Sequence, residues 1–128
     1  MKALFFISIS ILLFLAGCSN SYENDAIREF IPGTYIRFSK HEFGTEYDTL
    51  IISMQNKSVD EFKIIRKWEY KRILDGNVIE PEYKTHITSA NYDESSKLLK
   101  EAASGESYSF DTQQNVLFVS STKYQKLK

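Results

Sequence analysis

Residues Glu61–Leu74, which read EFKIIRKWEYKRIL, form the longest run of alternating side-chain types in this chain. Aromatic and aliphatic residues occupy its even positions together with two arginines, whereas lysines, glutamates and two isoleucines occupy the odd positions. This period of two is typical of a β-strand, because successive side chains of a strand point to opposite faces. Asp75 and Gly76 follow at once and favour a tight hairpin turn, so the stretch predicts one long strand of an antiparallel sheet.

Alternation of the same kind recurs on both sides of this stretch, between short polar turns. Segment 39–45, which contains Gly44, is expected to be a loop, and 26–30 a short helical turn with Asp25 as its N-cap. Composition also permits a helix at 97–102. The further strands that we predict are 34–38, 47–55, 82–92, 97–102, 107–110, 116–120 and 123–127.

Seven or eight short strands joined by short turns predict an all-β fold. Consecutive hairpins form an antiparallel meander, and such a meander buries one face only by closing or by stacking. We therefore expect a single domain over residues 31–128 that closes into a small barrel or a strongly curled sheet. A β-sandwich is the alternative.

The N-terminus has the features of a bacterial secretory signal. Lys2 precedes an apolar stretch that ends in small residues before a cysteine. Residues 15–18, Leu-Ala-Gly-Cys, resemble the lipobox of bacterial lipoproteins. The resemblance implies that residues 1–17 are a signal peptide that is removed, that Cys18 receives a lipid anchor with fatty acids such as palmitate, and that 18–30 tether the domain.

The residue after the cysteine bears on which membrane holds the protein. In lipoproteins of diderm bacteria, an aspartate at this place typically retains the protein in the inner membrane, and here it is Ser19. The resemblance therefore implies a cell-envelope protein anchored in the outer membrane and facing the periplasm, with the membrane as one partner.

A second resemblance concerns the domain itself. The opening Ile-Pro-Gly-Thr-Tyr at 31–35, the run of hairpins and the ending Tyr-Gln-Lys at 124–126 resemble small lipocalin-like domains of exported bacterial lipoproteins. The resemblance covers residues 31–128 and implies that a small apolar molecule binds inside a barrel. A barrel of this size, however, tends to be filled by its own side chains.

Composition excludes some classes of function. The chain has 16 basic and 17 acidic residues, a net charge of −1, and no clustered basic excess, which argues against nucleic-acid binding. Its only cysteine is Cys18, so no intramolecular disulfide is possible. We expect no cofactor.

Residues with catalytic or metal-binding chemistry are sparse. His41 and His86 are the only histidines, and neither a Gly-x-Ser-x-Gly nor a His-Glu-x-x-His motif occurs. His41, Glu42, Glu46 and Asp48 form the densest cluster of potential ligands, within or next to the expected 39–45 loop, although charged loops are ordinarily solvated surface. We therefore predict neither an enzyme nor a metal site.

The long strand offers a better binding candidate. Arg66, Trp68, Tyr70 and Arg72 interleave cationic and aromatic side chains on one face, a pattern that can grip an anion while stacking on a ring. The alternative is that Trp68 is a core anchor, and we expect this from the alternation. The two arginines then lie at the mouths of the barrel or on a partly open face.

Three functions remain open. The leading hypothesis is a non-enzymatic envelope lipoprotein whose β-domain binds a protein partner or supports an envelope assembly. A lipocalin-like carrier of a small apolar ligand or glycan is the second hypothesis, and an apolar cavity of about 300 Å³ or more would favour it. The third hypothesis is an inhibitor or immunity-type lipoprotein, which a protruding 39–45 loop would favour.

Overall fold

The computed structural model describes residues 25–128, so the predicted signal peptide and Cys18 lie outside the described residues. This part of the chain contains no helix long and apolar enough to cross a membrane. Its elements are α1 (Ala26–Phe30), β1 (Gly33–His41), β2 (Gly44–Asn56), a 3₁₀ turn (Lys57–Val59), β3 (Glu61–Leu74), β4 (Asn77–Val78), β5 (Glu82–Asp93), β6 (Leu98–Glu101), β7 (Ser107–Asp111), β8 (Val116–Val119) and β9 (Thr122–Lys126).

The strands form one antiparallel sheet that closes on itself. Eight strands pair in chain order, the last pairs with the first, and the two-residue β4 adds to the end of β3. The predicted all-β meander is confirmed as a lipocalin-like barrel, and the sandwich alternative is wrong. Asp75 and Gly76 both have positive φ, as the predicted tight turn requires.

The barrel is uneven, because its strands differ in length. β1, β2, β3 and β5 have 9 to 14 residues, whereas β6 to β9 have only 4 or 5. β6 pairs with β5 only over residues 90–93, and β9 pairs with β1 only at Tyr35 and Ile36. The barrel is therefore closed at the end where α1 packs, while residues 37–41, 44–49, 66–74 and 82–89 project beyond the closed part as a four-stranded sheet, here called the projecting sheet.

Large side chains fill the closed part of the barrel. The single Tyr35 hydroxyl proton is shared between the Phe30 and Ile31 carbonyl oxygens, each 2.9 Å from the hydroxyl oxygen, which ties α1 to this core. A filled interior is the geometry expected for a small eight-stranded barrel. The core residues are Ile31, Tyr35, Leu50, Ile52, Phe62, Ile64, Ala90, Tyr92, Leu99, Tyr108, Leu117 and Tyr124.

The predicted helical turn and its cap are confirmed. The Asp25 carboxylate accepts hydrogen bonds from the backbone N–H groups of Ile27 (3.0 Å) and Arg28 (3.3 Å), as an N-cap does. It also accepts from the Tyr92 hydroxyl at 2.7 Å and the Lys97 ammonium at 2.9 Å. A helix of five residues is not stable alone, so these contacts with the barrel hold it.

The wild type is expected to lose stability on acidification through the Asp25 carboxylate. Asp25→Asn is the control, because Asn is an equally good N-cap but cannot be protonated in this way. Burial alone would raise the pKa of Asp25, but the hydrogen bonds from Tyr92, Lys97, Arg28 and Ile27 outweigh it and lower the pKa to about 2. The lowered pKa stabilises the fold above roughly pH 4, the range of an unfolded Asp, by about 2 kcal/mol, and this is lost as the pH falls toward 2. Thermal unfolding at several pH values should show that the unfolding temperature of the wild type falls more steeply between roughly pH 4 and pH 2 than that of Asp25→Asn. Identical pH profiles for the two proteins would contradict this role of the carboxylate.

The prediction of a loop at 39–45 is wrong. β1 and β2 continue pairing up to His41 and Gly44, which leaves only Glu42 and Phe43 in the turn. Gly44 has a packing role instead, because a Cβ at this position would collide with the carbonyl oxygen of Lys71. The glycine therefore permits the close approach of β2 to β3.

Candidate binding face

One side of the projecting sheet continues the interior of the barrel and is exposed to solvent because β6 to β9 are too short to cover it. We call this side the open face. It carries the even positions of β2, β3 and β5 and the odd positions of β1, as the strand register requires. Its polar and aromatic residues are Arg37, His41, Glu46, Asp48, Arg66, Trp68, Tyr70, Arg72, Lys84 and His86.

An ion pair between a buried carboxylate and a half-exposed guanidinium lies where the open face meets the core. The Asp48 side chain is 0% exposed and the Arg66 side chain 45%. The Arg66 Nη2 and Nε atoms donate to the two carboxylate oxygens at 2.5 and 3.0 Å, and the Tyr124 hydroxyl adds a bond of 2.7 Å. The hydrogen bonds to Asp48 raise the pKa of Arg66 above its usual value, so the guanidinium stays charged. The arginine is therefore held in place at the base of the open face.

Trp68 lies on the open face and not in the core, so the expectation that it is a core anchor is wrong. It is partly buried, and its Nε1 donates a 2.5 Å hydrogen bond to Glu46 Oε1. The indole stacks on Tyr70, with ring centroids 5.6 Å apart, and Tyr70 stacks on His41 at 6.1 Å. These contacts present a row of flat rings along the middle of the face.

Arg66, Trp68, Lys84 and His86 line an open cleft of about 270 Å³. The Lys84 ammonium is 5.3 Å from the centroid of the Trp68 ring. Within residues 25–128, Lys84 forms no ion pair, so its charge is free to meet an anion. The cleft combines the Arg66 and Lys84 cations with an aromatic plane and suits a carboxylate or other anion that is attached to a flat or apolar group.

Both groups of candidate residues that the sequence suggests, the cationic and aromatic residues of β3 and the cluster from His41 to Asp48, contribute to this face. Arg72 lies at its far end, where it forms an exposed ion pair with Glu82 at 3.8 Å. His41, Glu46 and Asp48 join the face from β1 and β2, whereas Glu42 lies in the turn. Glu46 and Asp48 accept hydrogen bonds from Trp68 and Arg66, and residues 25–128 contain no group of three His, Cys, Asp or Glu placed to hold a metal ion.

Sequence reasoning missed Lys84 and His86. Their alternation with Tyr83, Thr85 and Ile87 was visible within the predicted strand 82–92. This alternation does not reveal that β5 pairs with β3. The pairing places Lys84 beside Trp68 and His86 beside Arg66.

The opposite, convex side of the projecting sheet carries a smaller exposed apolar group. Phe38 and Tyr47 are 53% and 44% exposed, and their rings lie 4.7 Å apart. Scattered exposed apolar residues are normal on protein surfaces, so this pair alone does not indicate a site. It provides a control for experiments on Trp68.

No family model matches this chain, and no curated protein and no solved structure is significantly similar to it. Its class therefore rests on its own geometry. It is a small lipocalin-like barrel with a filled interior and an open face of cationic and aromatic side chains.

Proposed function

We propose that this chain is a lipid-anchored cell-envelope protein, without catalytic activity, whose barrel binds a protein partner through the open face. One observation carries the proposal. The interior is filled with side chains, while the cleft of Arg66, Trp68, Lys84 and His86 is open to solvent at the end of the barrel away from α1. Aromatic residues and arginine are the side chains that most often dominate binding at protein interfaces.

The position of the open face agrees with an anchor at Cys18. The described chain begins at Asp25, beside α1, and the open face is at the other end of the barrel. Cys18 precedes Asp25 by seven positions, which span at most about 25 Å when fully extended. An anchor at Cys18 would hold the α1 end near the membrane and leave the open face directed away from it.

Cys18→Ser is expected to abolish lipidation and leave an unprocessed precursor or a slowly released form. The serine hydroxyl cannot replace the thiol to which a lipoprotein's diacylglycerol is attached. Cells labelled with radioactive palmitate should give a labelled wild-type protein and an unlabelled variant. A wild-type protein with intact Cys18 that takes up no label would contradict the anchor.

Trp68→Ser is expected to reduce capture of the envelope partner at least about tenfold, which corresponds to about 1.4 kcal/mol. The full chain, purified in mild detergent, would be immobilised and exposed to solubilised envelope proteins. Phe38→Ser is the matched control, because it removes an exposed aromatic ring from the convex side of the same sheet. Equal capture by all three proteins would show that the open face is not the site.

A glycan is the second candidate ligand, because Trp68 offers a ring for stacking beside the Arg66 and Lys84 cations. Acidic and neutral envelope glycan fragments would be titrated while the emission of Trp68, the only tryptophan, is recorded. A saturable change with glycans and no protein capture would favour this candidate.

A carrier of an apolar ligand and an inhibitor receive less support from the structure. Closely packed side chains, with Tyr35 and Phe62 at 0% exposure, occupy the space that a carrier would need for an apolar ligand. A protruding 39–45 loop would favour the inhibitor hypothesis; in the structure these residues form paired strands and a two-residue turn at the end of the projecting sheet.

A further inference from the structure

We infer that the partner binds by adding an extended strand to the free edge of β5, with acidic side chains on the open face and apolar side chains on the convex side. This inference rests on the proposed function, because it names the partner's chemistry at the same face. Such strand addition joins two proteins through main-chain hydrogen bonds, while alternate side chains provide the specificity.

The edge is visible in the pairing of β5. Within residues 25–128, β5 pairs with β3 alone over residues 82–88; on its other side the Ser89 carbonyl already accepts from Ala102, and the ladder with β6 begins at Ala90. Tyr83 and Ile87 are 70% and 59% exposed. This length of one-sided strand offers several backbone groups to a further strand.

The direction of these backbone groups follows from two hydrogen bonds. The Ser89 carbonyl accepts from Ala102 on the β6 side, and the Tyr92 N–H donates to Asp60 on the β3 side. Both backbone groups of a residue in an antiparallel ladder point to the same side, and the side alternates along the strand. The N–H and C=O groups of Tyr83, Thr85 and Ile87 therefore face outward.

Nothing in the segment blocks this edge in the way that natural edge strands usually are blocked. Residues 82–89 contain no proline and no bulge, and their pairing with β3 has no shift in register. Lysine often protects an edge, but Lys84 lies over the Trp68 ring. The edge is thus suited to accept a strand.

The side chains beside the edge define the strand that fits. Residues of an added strand opposite Lys84 and His86 would point onto the open face, where a carboxylate could pair with the Lys84 ammonium and accept a hydrogen bond from the His86 imidazole. Those opposite Tyr83 and Ile87 would point to the convex side and pack best if apolar. The partner segment thus alternates apolar, acidic, neutral, acidic, apolar. A second copy of β5 fits less well, because it would bring two lysine-bearing rows together.

The probe is the fluorescein-labelled peptide Ser-Ile-Glu-Thr-Glu-Val-Ser, titrated with the full chain in detergent micelles and followed by anisotropy. Thr85→Pro is expected to weaken binding about tenfold, because it removes an outward N–H and its ring obstructs the edge. The same change leaves the ladder with β3 intact, since the Thr85 N–H does not face β3. Thr85→Val, which keeps the N–H, is expected to bind within about twofold of the wild type.

Charge is tested with a peptide in which lysines replace the two glutamates. It is expected to bind at least about tenfold more weakly to the wild type, and Lys84→Glu should reduce that difference. Circular dichroism confirms that each variant is folded. Binding that Thr85→Pro leaves unchanged would overturn strand addition while keeping the open face as a site. Absence of peptide binding would also overturn strand addition. The proposed function is tested separately, by the capture of envelope proteins with Trp68→Ser.

Discussion

Replacing Arg66 by methionine is expected to lower the free energy of unfolding by about 3–5 kcal/mol. The Asp48 side chain is fully buried, and its oxygens accept hydrogen bonds from Arg66 and from the Tyr124 hydroxyl. Methionine keeps much of the apolar stem but removes the positive charge. The carboxylate is then left in the interior with one neutral donor, and a buried charge that has lost its partner is costly. Urea unfolding followed by circular dichroism measures the change.

Asp48→Asn is the matched control for this experiment. It is expected to cost less, about 1–2 kcal/mol, because the Arg66 guanidinium that it leaves unpaired is half-exposed and can be hydrated. In the Arg66→Met background, Asp48→Asn is expected to increase stability, since no charge remains buried. A double variant less stable than Arg66→Met would show that the buried carboxylate is not the source of the cost.

Phe62→Ala is expected to cost about 3–5 kcal/mol, whereas Trp68→Ala is expected to cost only about 1–2 kcal/mol. Both residues lie on the same face of β3, six positions apart. Phe62 is 0% exposed in the closed part of the barrel, so its truncation leaves a cavity. Trp68 is partly exposed, and water can hydrate Glu46 and Tyr70 once the indole is gone.

The ratio of these two costs locates the boundary between core and open face. Urea unfolding should be followed by circular dichroism for both variants, because Trp68 is the only tryptophan and its variant has no indole emission. Comparable costs for the two changes would mean that Trp68 is a core residue. In that case Trp68 would not be available to contact a partner on the open face.

Local chemistry was sufficient to predict most elements of this fold. The alternation of Glu61–Leu74 predicted β3 with its observed bounds, and the Asp75-Gly76 turn and the Asp25 cap were also confirmed. Each of these depends on neighbouring residues only: the side-chain period of a strand, the positive φ of a turn and the free N–H groups of a helix end.

The errors arose where packing between strands decided the result. Its neighbours in the sequence suggest that Gly44 is a loop residue, but in the structure it permits β2 to lie close against Lys71 of β3. The two-residue β4 has no periodicity to detect and exists because it pairs with the end of β3. In both cases the determining contact is with a residue on another strand.

A period of two is enough to predict, from sequence, that Arg66, Trp68, Tyr70 and Arg72 share one face of a strand. Strand pairing in three dimensions was needed to show that this face leaves the core after Ile64, that Asp48 is buried beneath Arg66, and that Lys84 and His86 complete the cleft. Backbone hydrogen bonding is the same for every register, so pairing partners and strand ends are chosen by burial summed over the whole barrel. The short strands β6 to β9 close the barrel only at the end where α1 packs and leave the rest of β3 open to solvent.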